Sequence, residues 1–370
     1  MVLLSSLTAG CQSAHLAPRA DHSGSASPAP VLCRSPNGAA WRRVLTRHVV
    51  PLSRHASVVP WALSGDGRTF FASLYSRRFS GVARIDGATG RFTAIRRFGN
   101  ARHDQADGSF DGRFLVWNEY HSLSSPDDFT TWSWDSVGRR LRRIGGAARS
   151  PSGTFWPSPW RQPDAREGFA TWTQGSGAEG IEDVHVVRLT SGHGRVVRHG
   201  HPGGSFLVAG RLVVWPESMR PGAVTVMRAA DAATGRPVSV PNVFRSVRGV
   251  SGLATDGRAV AYPNADYTSL WWSPSLDASP RRLFATRSAA DHIDNSVQVA
   301  GSDLTFGVPP ATFLADARTG RYVRLSRGGY ARIDRRTLVL VEPSAEKAIH
   351  PVSDVVFVPR SALPPLLPCL

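Results

Sequence analysis

A tight turn followed by a strand of mostly apolar residues recurs about seven times along this 370-residue chain. A repeat of that kind limits the fold before any single motif is read. The clearest copy is Trp61-Ala-Leu-Ser-Gly-Asp66-Gly67-Arg68-Thr-Phe-Phe-Ala-Ser73. It returns as Ser109-Phe-Asp111-Gly112-Arg113-Phe-Leu-Val-Trp117 and as Thr255-Asp256-Gly257-Arg258-Ala-Val-Ala-Tyr262. Taking the strand after each turn as strand b of a unit places these strands at 68–73, 113–118, 168–173, 211–216, 258–263, 303–308 and 337–342.

A strand c follows each, as at Val82–Ile85, Thr131–Trp134, Val184–Val187, Val224–Met227, Leu270–Trp272, Ala311–Leu314 and Val355–Val358. Turns such as Ala88-Thr-Gly90-Arg, Ala233-Thr-Gly235-Arg and Arg318-Thr-Gly320-Arg lead into strand d. Glycine there supplies the positive φ of a tight reversal. Strand a opens each unit, as at Ser205–Ala209 and Val297–Ala300. Four short antiparallel strands, repeated about seven times, define an all-β chain folded as a single seven-bladed β-propeller. The last unit lacks its fourth strand. The segment Trp41–Val50 is expected to supply it, closing the ring and leaving no free sheet edge inside it. The expected domains are therefore a leader over 1–11, a flexible tether over 12–40, the propeller over 41–360 with 41–50 completing its last blade, and a tail over 361–370.

The motif at Trp61–Ser73 resembles the TolB-type propeller repeat, which runs aromatic, Ser, Pro, Asp, Gly, basic and then an apolar strand. Gly65 stands where that repeat has proline. The units at 109–117 and 253–262 share part of the motif, and those at 166–172, 301–306 and 335–341 share its pattern. The resemblance implies a periplasmic or extracellular propeller that binds a partner, and it carries no catalytic residues.

The opening Met1-Val-Leu-Leu-Ser-Ser-Leu7-Thr-Ala-Gly10-Cys11 resembles a bacterial lipobox, with small side chains before the thiol that takes the lipid. It is shorter than a usual signal core and lacks a basic start. The expectation is an exported protein, lipid-anchored through Cys11 at the outer face of the cytoplasmic membrane or extracellular. The tether composition, rich in Ser, Ala, Pro and His, suits a flexible linker. In an oxidising compartment Cys33 and Cys369 can form a disulfide, which ring closure would bring into one blade. The formal charge is +16, and Lys347 is the only lysine, so arginine supplies nearly all of the positive charge. Either codon usage favours arginine wherever a base is tolerated, or the surface meets an anionic polymer. The arginines are scattered and interleave with no nucleic-acid module, so nucleic acid is not the expected partner.

Loops joining strands b to c and d to a emerge on one face of a propeller, around the channel, where binding usually occurs. At the ends of strand b an aromatic is followed two residues later by a carboxylate or amide: Trp117/Glu119, Trp172/Gln174, Trp215/Glu217 and Tyr262/Asn264. Aromatic faces beside directional polar groups suit a protein, peptide or glycan ligand; buried packing between blades is the alternative. The loops before two strands a carry His103, Asp104 and Asp107, and His292 and Asp294, which could ligate a metal. Solvated turn residues have the same composition, and no cofactor is expected. No Gly-x-Ser-x-Gly elbow, His-Glu-x-x-His, P-loop or Cys-x-x-Cys is present. The expected function is non-catalytic binding. The alternative is a carbohydrate-active hydrolase or lyase using Glu119, Glu217, Asp266 and His121, which requires two carboxyl groups roughly 5–10 Å apart.

Overall fold

The computed structural model describes residues 32–368 apart from 54–55, 159–161, 178–179, 210, 219–224, 246–249, 251, 265, 287–291, 295 and 344–352. Seven small antiparallel sheets follow one another along the chain and form the blades of a propeller. Blade one holds Ser57–Leu63, Thr69–Tyr75, Ser80–Asp86 and Phe92–Arg97, in that spatial order from the inside out. Blades two, three and five repeat the order, with inner strands Gln105–Phe110, Asp164–Arg166 and Ala254–Thr255. The four-stranded repeat is thus observed, and each strand b lies within two residues of its expected start.

The local chemistry explains why the turns recur. In four of them one aspartate oxygen accepts two consecutive backbone N–H groups: Asp66 from Arg68 and Thr69, Asp111 from Arg113 and Phe114, Asp256 from Arg258 and Ala259, and Asp334 from Arg336 and Thr337. This side chain substitutes for the missing strand partner at the reversal. The second oxygen then joins blades: Asp111 accepts from Gly168 N of blade three, and Asp256 from Gly301 N of blade six. At the turn from strand c to strand d, Gly90, Gly235 and Gly320 adopt φ of +66°, +73° and +72°, the left-handed region expected of them.

Strand b reads as a continuous apolar run because a blade is sandwiched between two neighbours. All seven residues of Phe114–Tyr120 are buried. Apolar clusters fill the seams, with two of them between blades two and three. Phe71, Leu115 and Trp117 lie between blades one and two, Val184 and Trp215 between three and four, and Val260 and Tyr262 join Val214 and Phe244 between four and five. A fully buried side chain of this size stabilises the fold by about 3 kcal/mol relative to exposure. In blades one, two, three, five and six the pairing of strands c and d shifts by one residue, as between Val82 and Ala83, a bulge that increases blade twist.

Ring closure occurs where expected but by a different conformation. Val49 bridges Val356, Val50 N donates to Val355 O, and Phe357 N donates to His48 O, so a short antiparallel stretch completes blade seven. The preceding residues Gly38–Arg47 are an α-helix rather than the expected strand. Trp41, Val44 and Leu45 stand at i, i+3 and i+4, which places them on one helical face. That face buries Trp41 and Leu45 against Leu325, Leu340 and Val358 in the seam of blades six and seven. Within the stretch expected as a flexible tether, residues 33–34 are a strand and residues 38–40 open the helix. Cys33–Arg34 adds a parallel fifth strand to blade six against Arg321–Tyr322. Cys33 is disulfide-bonded; its expected partner Cys369, like Cys11, lies outside the described residues. Leu367 N donates to Ser35 Oγ and Asn37 Nδ2 to Pro365 O, so the tail also lies on this edge.

Blade four departs from the pattern. Its fourth position, expected over Ala233–Val238, is held by a single bridge between Ala230 and Pro237 and by Val238 N donating to Ala229 O. Pro237 and Pro241 have no N–H to extend a ladder.

Candidate functional site

All seven innermost strands line one central channel of about 790 Å³. A strand on that wall turns alternate residues inward, and here many of the inward residues are polar or charged. Asp107 comes from blade two, Asp164 and Arg166 from blade three, Tyr330, Arg332 and Asp334 from blade seven, with Asp294 and Gln298 from blade six. Arg166 reaches past blade four: its Nε donates to Leu207 O at 3.2 Å and its Nη2 to Thr255 O of blade five at 2.8 Å. Asp164 accepts Leu207 N at 2.7 Å. Tyr330 Oη donates to Pro60 O at 2.7 Å, across to blade one.

The walls raise the proton affinity of these groups. Burial pushes the Asp107 carboxyl up, opposed by the nearby Arg332 guanidinium. Burial likewise raises Asp164, opposed by Arg166. Asp334 is raised by burial, with its neighbour Asp66 adding to the effect while backbone donors oppose it. Burial also raises the Tyr330 phenol. Three buried polar atoms of channel-lining residues have no hydrogen-bond partner among the described residues: Trp61 Nε1, Arg332 Nε and Asp334 Oδ2. Trp61 is 3% exposed.

The aromatic–polar pairs at the ends of strand b sit outside this wall. Trp117, Trp172, Trp215 and Tyr262 are buried between blades. Trp172 stacks on His185 at 5.1 Å and occupies the space a side chain at Gly145 would need. Glu119 is 1% exposed and takes two hydrogen bonds from Arg96 of blade one, at 2.6 and 3.0 Å; the guanidinium lies 3.8 Å over the Trp132 ring. Glu217 is paired with Arg198 of blade three and Arg228 of its own blade. These carboxylates stand on blades two and four, each held by arginine. Gln174 and Asn264 are half-buried, and Asn264 Oδ1 accepts Ser269 N. Asp266 is exposed and caps Thr268.

The structure does bring together Asp104, a candidate metal ligand from sequence, with Glu119 and His121 of the hydrolase or lyase alternative. Asp104, Glu119 and His121 offer ligand atoms within 4.8 Å of one another. Each already has partners: Asp104 accepts Asn100 N at 2.7 Å, His121 Nδ1 lies 3.3 Å from Asp104 and its Nε2 3.2 Å from Thr130 Oγ1, and Arg96 holds Glu119. His103 and His292 are exposed, whereas Asp107 and Asp294 face the channel. His199 and His201 bond Asp183 and Gly180 O. Arg166, Arg332, Tyr330, Asp164 and Asp334 were not singled out by sequence. Their signal is the alternation of polar residues on strand a, as in Asp164-Ala-Arg166 and Tyr330-Ala-Arg332.

No family model matches the chain, and no curated protein sequence matches it. Solved structures do. A prolyl endopeptidase superposes with a TM-score of 0.56 at 15% identity, over 90% of this chain and 51% of that one. An oligogalacturonate lyase from Vibrio parahaemolyticus gives 0.50 at 10% identity, over 83% of this chain and 92% of that one. The present chain spans about half the length of the endopeptidase chain. At these identities the likeness is one of fold. The class defined by sheets, closure and channel is the seven-bladed β-propeller.

Proposed function

We propose that this propeller is an exported, non-catalytic binding protein, tethered by lipid at Cys11, which takes a small polar ligand or the end of a peptide or glycan into its central channel. One observation carries the reading: a channel walled by all seven blades that presents charged groups of both signs, Asp107, Asp164, Arg166 and Arg332 among them. A few polar groups converging in a concave site fix the orientation of a ligand. Export is supported by the lipobox-like start and by a disulfide at Cys33. The alternative as a hydrolase or lyase draws on Glu119 and Glu217, but each of these is closed by an arginine.

The test is a thermal-shift screen of amino acids, short peptides and sugar acids against the wild type, Arg332→Gln and Asp107→Asn. A ligand of the channel raises the wild-type midpoint and loses at least tenfold in affinity in Arg332→Gln. A ligand whose binding both variants leave untouched would place the site elsewhere. Fatty-acid labelling that survives Cys11→Ser would remove the anchor.

A further inference from the structure

The outer strands carry a second charged surface, separate from the channel. The fourth strands of blades one, two, three, five and six are Phe92–Arg97, Arg140–Gly146, Gly194–Gly200, Arg281–Ala285 and Arg321–Ser326. Together they contain eleven arginines and no aspartate or glutamate. At the chain's ratio of 44 basic to 28 acidic residues, a surface that mixes its signs would place about four carboxylates among eleven charges. Five of the eleven arginines knit neighbours: Arg96 to Glu119, Arg142 to Leu189 O, Arg198 to Glu217, Arg281 to Ala317 O and Arg321 to Leu366 O. The other six, Arg97, Arg140, Arg143, Arg195, Arg282 and Arg324, are exposed. The belt continues past the two remaining blades through exposed Arg228 and Arg236 of blade four and through Arg42, Arg43 and Arg47 on the helix beside blade seven.

We infer that this perimeter binds a flexible anionic chain without bases, of the phosphate-polymer kind. Charge complementarity sets the sign, and guanidinium forks suit phosphate oxygens. Geometry sets the form: a flat membrane meets only a few neighbouring blades of a ring, whereas a flexible chain can follow its circumference. Single-stranded nucleic acid would use exposed aromatic platforms, and on these strands Phe92 is the one exposed aromatic among the described residues.

The test uses the full chain and inorganic polyphosphate of long chain length, with single-stranded DNA and phosphatidylglycerol vesicles as comparisons. The belt variant replaces Arg140, Arg143, Arg195, Arg282 and Arg324 by Gln. A control removes the same charge from the turns between strands a and b, at Arg68, Arg113, Arg258, Arg335 and Arg336. Replacement of the five belt residues by Lys keeps the charge and checks that the fold survives. The expected result is polyphosphate binding that weakens steeply with salt, falls tenfold or more in the belt variant, falls less than threefold in the control and largely persists in the Lys variant. Equal losses in the belt variant and the control would overturn the inference by reducing it to net charge. So would absent polyphosphate binding, or tighter binding to DNA or vesicles than to polyphosphate.

Discussion

Along the inner strands aspartates and arginines share one confined wall, whereas the outer strands of the same blades carry arginine alone. Confinement is the difference. In the channel, desolvation penalises every ion, so Asp107 and Asp164 stand near Arg332 and Arg166 and still show raised pKa values. At the perimeter, water and salt screen like charges beyond about 10 Å, and arginines accumulate on strands that carry no carboxylate. The inward-turning arginines mark the boundary. Arg96 starts on an outer strand and ends in a buried ion pair, while Arg113, a short distance along the repeat, meets Asp135 in solvent and holds its carboxyl down to about 2.

That contrast can be broken most directly at Arg96. Arg96→Met leaves Glu119 buried without its partner, and unfolding stability in urea is expected to fall by about 3–5 kcal/mol. Adding Glu119→Leu should restore much of the loss. Arg113→Met, at the solvated pair, should leave the midpoint nearly unchanged; an equal effect of the two substitutions would erase the distinction between inward and outward arginines. Next in size is the edge of blade six. Cys33→Ser is expected to cost about 2–4 kcal/mol, and peptide mass spectrometry under non-reducing conditions should identify Cys369 as the partner.

A smaller effect tests the inner wall by pH. A carboxyl whose folded pKa is raised lowers stability above that pKa, and the penalty disappears as pH falls through it. Asp107→Asn should therefore raise the melting midpoint at pH 7, and the gain should shrink as pH approaches about 4. Asp66, in the turn of blade one, behaves oppositely. Burial pushes Asp66 up, but hydrogen bonds from Ser64, Arg68 and Thr69 win and hold it far below the usual range. Its contribution persists above the ordinary carboxylate pKa and is lost as pH falls below it. A gain in Asp107→Asn that is independent of pH would show that the wall does not perturb this group. The smallest expected change is at the belt, where Arg195→Gln should stay within about 0.5 kcal/mol of wild type.

Much of this architecture was legible because it is local. Each Asp-Gly-basic turn closes on side-chain and backbone bonds within three residues, as at Asp66 and Asp256, and each strand b is apolar on both faces because both are covered. The helix at Gly38–Arg47 was misread as a strand because Arg42-Arg43-Val44-Leu45 resembles Arg139–Ile144, although Trp41, Val44 and Leu45 have helical spacing. The aromatics Trp117, Trp172, Trp215 and Tyr262 could be located at the ends of strand b, but not whether they faced a rim or a seam, since the choice rests on the neighbouring blade.

The sequence by itself determined the repeat, its turns and the number of blades, because those depend on contacts a few residues apart. Only the tertiary structure decided which charges meet. Arg332 faces Asp107 across 225 residues of chain, and Arg166 reaches a carbonyl 89 residues away. Closing the ring brings such groups into one low-dielectric wall, and no local pattern records which partners that closure selects.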